Sequence, residues 1–472
     1  MSRISYPWMT SLPTLSDAFC GCGGSSSGAK RAGAIIKLGI NHNVDSLTTH
    51  QYNFPFAQHR IEDITEISPY DPPHTLMSWW SPECKFHSPS RGKKIKNLDQ
   101  PVLWECGELD EVAERSRMCM DQVWRWAEAK MELGVPYQII FVENVVEVHH
   151  WHGFDRWLKK LLSLGYDYQE LNLNSMFFGV PQSRDRVYFV FWRKRNRVPK
   201  LDFLPQGYCR YCAKVVDCLQ LWKNQFKRWG KYRIQYTYNC EYCLREIHPF
   251  HVPAASIINW QKPATKIGER TKPLADSTME RIQKGIERFS DYPFVLETCH
   301  NQTGGAYIRS VLSPCFTQTT AQSMEIAMPG GIEAEEAWLR APSTQIARQD
   351  NAQLFPDVQP QQRLQPHPFL VSYYSNGKAY LPSKPLCTVS SRDRNGLCLP
   401  PAEPTIFSPS LRDINEWRFR MLDRYEVQGA MGFEPDYQII ASSEREAVRQ
   451  LGLAVTPAVA AWLVQAALES LS

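Results

Sequence analysis

The chain has 472 residues, 43% of them hydrophobic and 22% charged, with a formal net charge of +4. That length favours two or three domains, and the unbiased composition excludes a collagenous, disordered or low-complexity chain. Fourteen cysteines spread over this length exclude a small disulfide scaffold and suit thiols and metal ligands in a reducing compartment. In chain order, apolar runs at 15–19, 75–80, 138–142 and 187–192 predict buried strands. Amphipathic spacing predicts helices over 26–38, 109–133 and 154–164. This alternation predicts an α/β domain over residues 1–198, built on a doubly wound, largely parallel sheet. Residues 199–253 turn to Cys, Trp, Tyr and basic side chains, an expected insert. Residues 254–410, rich in Pro, Gln, Ser and Thr, form an expected second, smaller domain. It holds two similar pieces, 313–320 and 384–391. Residues 411–472 return to helical periodicity, end in an apolar helix over 456–471, and are expected to pack back on the first domain.

Ligands of such sheets bind beyond the carboxyl ends of the strands, so the residues after each strand carry the functional reading. After the first comes Asp17-Ala-Phe19-Cys-Gly21-Cys-Gly23-Gly24-Ser-Ser-Ser-Gly28. Its glycines permit tight turns and close approach, and the helix it opens offers free N–H groups to an anion. Glu62-Asp63-Ile64-Thr65 pairs carboxylates with an apolar face. Ser81-Pro82-Glu83-Cys84 follows a strand. A lone cysteine is as a rule a small core residue, but Lys85, His87, Arg91, Lys93 and Lys94 after this one favour a thiolate. Glu143-Asn144-Val145 and Gly179-Val-Pro-Gln182-Ser-Arg184-Asp-Arg186 flank two further strands.

In this order the strings resemble the motifs of the cytosine-5 DNA methyltransferases, as do Arg420–Tyr437 and Gln450–Pro457 near the end. The resemblance spans residues 14–192 and 418–470 and is only loose between them. It implies a class I methyltransferase fold, Rossmann-like, with a target-recognition domain. It implies S-adenosylmethionine held by Asp17, Phe19, Gly21, Gly23, Gly24, Asn41, Asp63, Ile64, Leu453 and Val455. Cys84 would attack carbon 6 of a flipped-out cytosine, Glu143 would contact N3 and the exocyclic amine, and Arg184 and Arg186 would hold the base and backbone. The partner would be double-stranded DNA, bound by a monomer, and the enzyme solitary or paired with a restriction nuclease. Four positions depart from the family pattern: Asn41 for an acid, Glu83 for a proline, Gly429 for an arginine and Leu453 for an asparagine. They keep open a catalytically weak DNA-binding relative, or a transferase using a modified S-adenosylmethionine analogue. An RNA substrate is a further alternative, which the large insert fits less well.

Cys209-x-x-Cys212 and Cys240-x-x-Cys243 make two knuckles that together can complete a tetrahedral zinc site in the insert. Cys218 is an alternative ligand, and free thiols or a redox pair are alternative readings. Between the knuckles, Lys223, Lys227, Arg228, Lys231 and Arg233 alternate with Trp222, Phe226, Trp229 and Tyr232, a mixture that suits phosphate contact and base stacking. A second basic run occupies 91–96. The sequence opens without a charged-then-apolar leader, and no stretch is expected to reach the roughly 20 apolar residues of a membrane span. The expected location is the cytoplasm of a prokaryotic or phage-infected cell, at the nucleoid.

Overall fold

The computed structural model describes residues 13–82, 107–151, 153–289 and 413–472, together with seven strands between 294 and 399. Cys84, Glu83, the 91–96 run and the 313–320 piece lie outside the described residues. The first sheet is built from β1 (Thr14–Ala18), β2 (Ile35–Ile40), β3 (Gln58–Arg60), β4 (Met77–Trp80), β5 (Ile139–Asn144), β6 (Tyr166–Asn174) and β8 (Asp185–Arg193). Gln182–Ser183 forms the short β7 between the last two. The order across the sheet is β3-β2-β1-β4-β5-β8-β6, and β8 is antiparallel to both its neighbours. The chain runs outward from β1 through β2 to β3 and then returns to β4 on the other side of β1. That reversal opens a crevice at the carboxyl ends of β1 and β4. The apolar runs are short and continuous because both faces of this sheet are covered: every residue of β4 and β5 is buried.

Helices α1 (Gly24–Arg31), α2 (Val44–Asn53), α3 (Gly107–Glu132) and α4 (Phe154–Ser163) alternate with these strands, and α5 (Asp276–Phe289) follows the insert. The helix expected over 26–38 is corrected: it stops at Arg31, Gly33 takes a positive φ of 92°, and residues 35–40 are β2. The isoleucine-rich run after that glycine suits a strand, since β-branched side chains are restricted in a helix and favoured on a pleat.

After Arg193 the insert forms a small antiparallel sheet from β9 (Gln206–Cys209), β10 (Lys214–Trp222) and β11 (Tyr236–Cys240). A second, eight-stranded sheet holds Thr265–Lys266, six strands between 294 and 399, and Arg418–Met421. Its Asn395–Leu399 strand also pairs with Arg418–Met421, so the sheet curls back on itself. Leu386–Cys387, inside the 384–391 piece, pairs instead with Gln182–Ser183 of the first domain.

The chain closes with α6 (Arg424–Met431), α7 (Glu444–Leu453) and α8 (Pro457–Leu471). Asp423 caps α6 reciprocally with Glu426. Against the sequence expectation, Glu444–Leu471 is long and apolar enough to cross a membrane, but most of it is buried inside the protein. It is broken at Ala454–Thr456 into two helices, and Val459, Ala460, Leu463 and Val464 join the core beneath α1 and β1.

Candidate active site

The carboxyl ends of β1, β2, β3, β4 and β5 lie side by side, and each delivers one of the sequence motifs. Near the end of β1, Asp17 is fully buried and its Oδ2 accepts hydrogen bonds from Ser25 and Ser26, both at 2.6 Å. It thereby pins the first turn of α1 to the strand. Burial pushes its carboxyl up to about 6 in spite of those hydroxyls. Ser26 also meets Nε2 of buried His50 at 2.9 Å, and His50 Nδ1 meets His59 at 2.8 Å. Burial drives His50 down to about 3, so the ring is neutral.

The C-terminal segment grips this loop. Gly24 lies so close to Val455 that a Cβ there would strike the Val455 carbonyl, and a Cβ on Gly28 would strike that of Pro457. Cys22 Sγ donates to the Gln450 carbonyl (3.4 Å), and Tyr437 hydroxyl to that of Cys22. The side chain of Gln450 accepts from Thr49 of α2 (2.7 Å). Leu453 is exposed at the end of α7.

Beside the loop a shallow, open cleft is lined by Phe19, Ile40, Asn41, His42, Glu62, Asp63, Ile64 and Cys119. Asn41 immediately follows β2, and its Oδ1 already accepts from the Asn43 N–H (2.9 Å). Asp63 Oδ1 accepts from Thr65 N–H and hydroxyl at 3.0 and 2.8 Å, with buried Ile64 between them. Phe19 holds a positive φ of 61°, which turns the chain at the cleft mouth. Cys119, from α3, was not legible as a cleft residue, because only the packing of that helix on the sheet brings it there.

At the end of β5, Glu143 is paired with Arg186: Oε1 and Nε are 3.1 Å apart. The antiparallel sense of β8 makes this contact, since its first residues meet the last residues of β5. Asn144 reaches the carbonyl of Pro82 (3.5 Å), and Ser81 N–H donates to Ala18 (3.3 Å). The start of the segment leading to Cys84 is therefore tied to both motif strands, while the cysteine itself lies outside the described residues. Arg184 is buried and points elsewhere, donating to the Gly452 carbonyl at 3.1 Å. Gln182 is likewise buried, against Met431 of α6. Gly429 fits closely: a Cβ would lie 2.9 Å from an Ile257 methyl, so a side chain there would require Ile257 to shift.

In the insert, the sulfurs of Cys209, Cys212, Cys240 and Cys243 all lie within 4.8 Å of one another. Cys209–Cys243 and Cys212–Cys240 are 3.6 and 3.8 Å apart. Cys218, opposite Cys240 across the strand pair, donates instead to the Val216 carbonyl at 3.9 Å.

The strand order and the strand-end cleft are those of the class I methyltransferase fold. A methyltransferase of Entamoeba histolytica (EhMeth) has the same fold over 98% of this chain and all of that one, at 13% identity and a TM-score of 0.51. A family model described as C-5 cytosine-specific DNA methylase matches residues 135–283. Over 209 residues the chain is 28% identical to type II methyltransferase M.OihORF3336P of Oceanobacillus iheyensis, covering 41% of this chain and 42% of that protein. Over 201 residues it is 25% identical to type II methyltransferase M.HgiDI of Herpetosiphon aurantiacus, covering 43% and 59%. The matches thus span about half the length of these relatives. Residues 135–283 match the C-5 cytosine-specific DNA methylase family, and the chain is similar to type II methyltransferases over about two fifths of its length.

Proposed function

We propose that the chain is a DNA (cytosine-5-)-methyltransferase that acts on a flipped-out cytosine in double-stranded DNA through a covalent adduct on Cys84. The observation that carries this reading is the Glu143–Arg186 pair, set at the same sheet edge as the glycine loop and its cleft. The cleft fits S-adenosylmethionine: Asp63, Glu62 and Asn41 offer polar groups to an adenosine, and Ile40, Ile64 and Phe19 offer apolar faces. When bound, that cosubstrate supplies an electrophilic methyl group.

The protein supplies the rest. The Cys84 thiolate adds to carbon 6, and the electron pair displaced into the ring makes carbon 5 nucleophilic. Glu143 holds the N3 and amine edge as charge builds there, and Arg186 fixes the orientation of that carboxylate. Carbon 5 takes the methyl group, a base removes its proton, and elimination returns the thiolate. The cysteine quartet holds a structural zinc ion in the same reading, and the enzyme works as a monomer on cytoplasmic DNA.

Tritium transfer from labelled S-adenosylmethionine to DNA tests the reading. Label above a Cys84→Ala control, recovered as 5-methylcytosine by mass spectrometry, is the expected result. Label no higher than that control would overturn it, and a cytosine carrying a larger group would point to a modified cofactor. Bisulfite sequencing of host DNA after expression then gives the target sequence.

A further inference from the structure

The basic and aromatic loop between the cysteine knuckles has the composition of a DNA-binding element, yet part of it faces the catalytic domain. Trp229 stacks on His149, with centroids 4.8 Å apart and planes at 13°, and meets His150 edge-on at 5.0 Å. Lys231 Nζ pairs with Glu147 at 2.6 Å. The N–H of Tyr232 donates to Asp185 Oδ1 and that of Gly230 to Asn172 Oδ1, both at 3.0 Å. Behind the loop, Gln220 of β10 donates to the Asn172 carbonyl at 2.9 Å.

Two of these contacts, those to Glu147 and Asp185, land next to catalytic machinery. Glu147 lies on the single turn that follows Glu143-Asn144-Val145. Asp185 stands between Arg184 and Arg186, and Arg186 Nη1 donates to the Asp185 carbonyl (2.8 Å). Asp185 is half-buried, and desolvation pushes its carboxyl up to about 6, against the opposing pull of the Tyr232 N–H, Lys231, Asn174 and Arg186. It therefore depends on the loop for part of its compensation. Burial works against Glu147 too, but Lys231, its own backbone N–H and Arg186 together hold that carboxyl below its usual range.

We propose that the 223–235 loop is a clamp by which the cysteine-knuckle insert sets Arg186 on Glu143, with Lys231 and Asp185 as positioning residues. The inference rests on the methyltransferase reading for its catalytic consequence but not for its structural one. The loop leaves β10 after Trp222 and enters β11 at Tyr236, while the cysteine quartet closes the opposite end of the same strand pair, so a metal there would steady the clamp through the β10–β11 pairing.

Lys231→Ala and Cys240→Ser are the test variants, with Lys231→Arg as the conservative control. Hydrogen exchange in the full-length protein reads the clamp directly, without any assumed activity. Faster exchange at residues 143–150 and 182–188 in both test variants is expected, and unchanged exchange in Lys231→Ala would overturn the clamp. In methyl transfer, kcat should fall about 10- to 100-fold in Lys231→Ala, with the KM for S-adenosylmethionine unchanged and most of the rate restored in Lys231→Arg. An unchanged kcat beside an altered KM would also overturn it. If the wild-type protein transfers no methyl group, the enzyme reading fails while the exchange result still decides the clamp.

Discussion

Arg186 Nε lies 3.1 Å from Glu143 Oε1, and the two side chains keep only 13% and 10% of their accessible surface. Two charges removed from water this far hold each other, and deleting one leaves the other uncompensated. Replacing Glu143 by Gln preserves its shape and removes the charge that would answer a developing positive base. Methyl transfer by Glu143→Gln should fall by roughly 100- to 1,000-fold, while S-adenosylmethionine affinity by calorimetry stays within about twofold of wild type, because the cleft lies across β4 and β1 from this pair. A matching loss of affinity would move Glu143 from base recognition to the cofactor.

Asp17 gives the molecule a pH dependence with a definite sign. Its folded-state carboxyl is raised from 3.8 to about 6 by burial, so folding favours the protonated form. The associated stability is complete below pH 3.8 and is lost as pH rises through about 6. Two units correspond to roughly 3 kcal/mol. Asp17→Asn keeps an acceptor for Ser25 and Ser26 and titrates nothing. The stability of wild type relative to Asp17→Asn should therefore decline between pH 4 and pH 7 in urea unfolding. A difference that is flat across this window would show that Asp17 does not carry the proton.

Much of the site was legible because its motifs are local. A glycine loop after a strand, an acid after the third strand and Glu-Asn-Val after the fifth each need only their own residues and the rule that parallel strands bind ligands at one end. What could not be read depends on distant packing. Ile35–Ile40 looked like the end of a helix, since the preceding stretch is rich in Ser and Ala, and only its pairing with β1 and β3 identifies the strand. Arg184 and Arg186 are equivalent on paper. In the fold one meets Gly452, a contact between residues 268 positions apart, and the other meets Glu143. The loop at 223–235 reads as a nucleic-acid surface from composition, and exposed Phe226, Lys227 and Arg228 remain available for that use. Its attachment through Trp229, Lys231 and Tyr232 has no sequence signature.

Gly24 and Gly21 separate two reasons for a glycine in the same loop. At Gly24 the neighbour is the Val455 backbone, which cannot move without shifting α8, whereas at Gly21 nothing lies within 4 Å of a Cβ and only its φ of 53° is unfavourable. Gly24→Ala should cost about 1–3 kcal/mol through forced backbone movement and weaken S-adenosylmethionine binding, by pushing the C-terminal segment off the loop. Gly21→Ala should cost about 1–2 kcal/mol. Thermal melts with and without the cosubstrate check this: ligand stabilisation should shrink in Gly24→Ala more than in Gly21→Ala. Equal shrinkage would remove the grip of Val455 as the cause.

The cysteine quartet makes a prediction in which metal and fold cannot be separated. A zinc ion with sulfur bonds of about 2.3 Å in tetrahedral geometry places its sulfurs about 3.8 Å apart. The sulfurs of Cys209–Cys243 and Cys212–Cys240 are separated by 3.6 and 3.8 Å. A disulfide would need sulfurs about 2 Å apart, so the arrangement suits a shared ion better than a redox pair. Around it the insert's Val216, Tyr232, Tyr236, Tyr238 and Ile247 form a small core that is completed by Met176 and Phe177 of the first domain, so a metal crosslink would add to that docking at the knuckle end. Purified protein should therefore carry one zinc ion per chain by elemental analysis, and Cys240→Ser should lose it. A chelator should lower the melting temperature and raise proteolysis within residues 206–250, while Cys218→Ser, outside the quartet, should retain the metal. Metal-free protein with an unchanged melting temperature would show that the thiols hold the insert together without an ion.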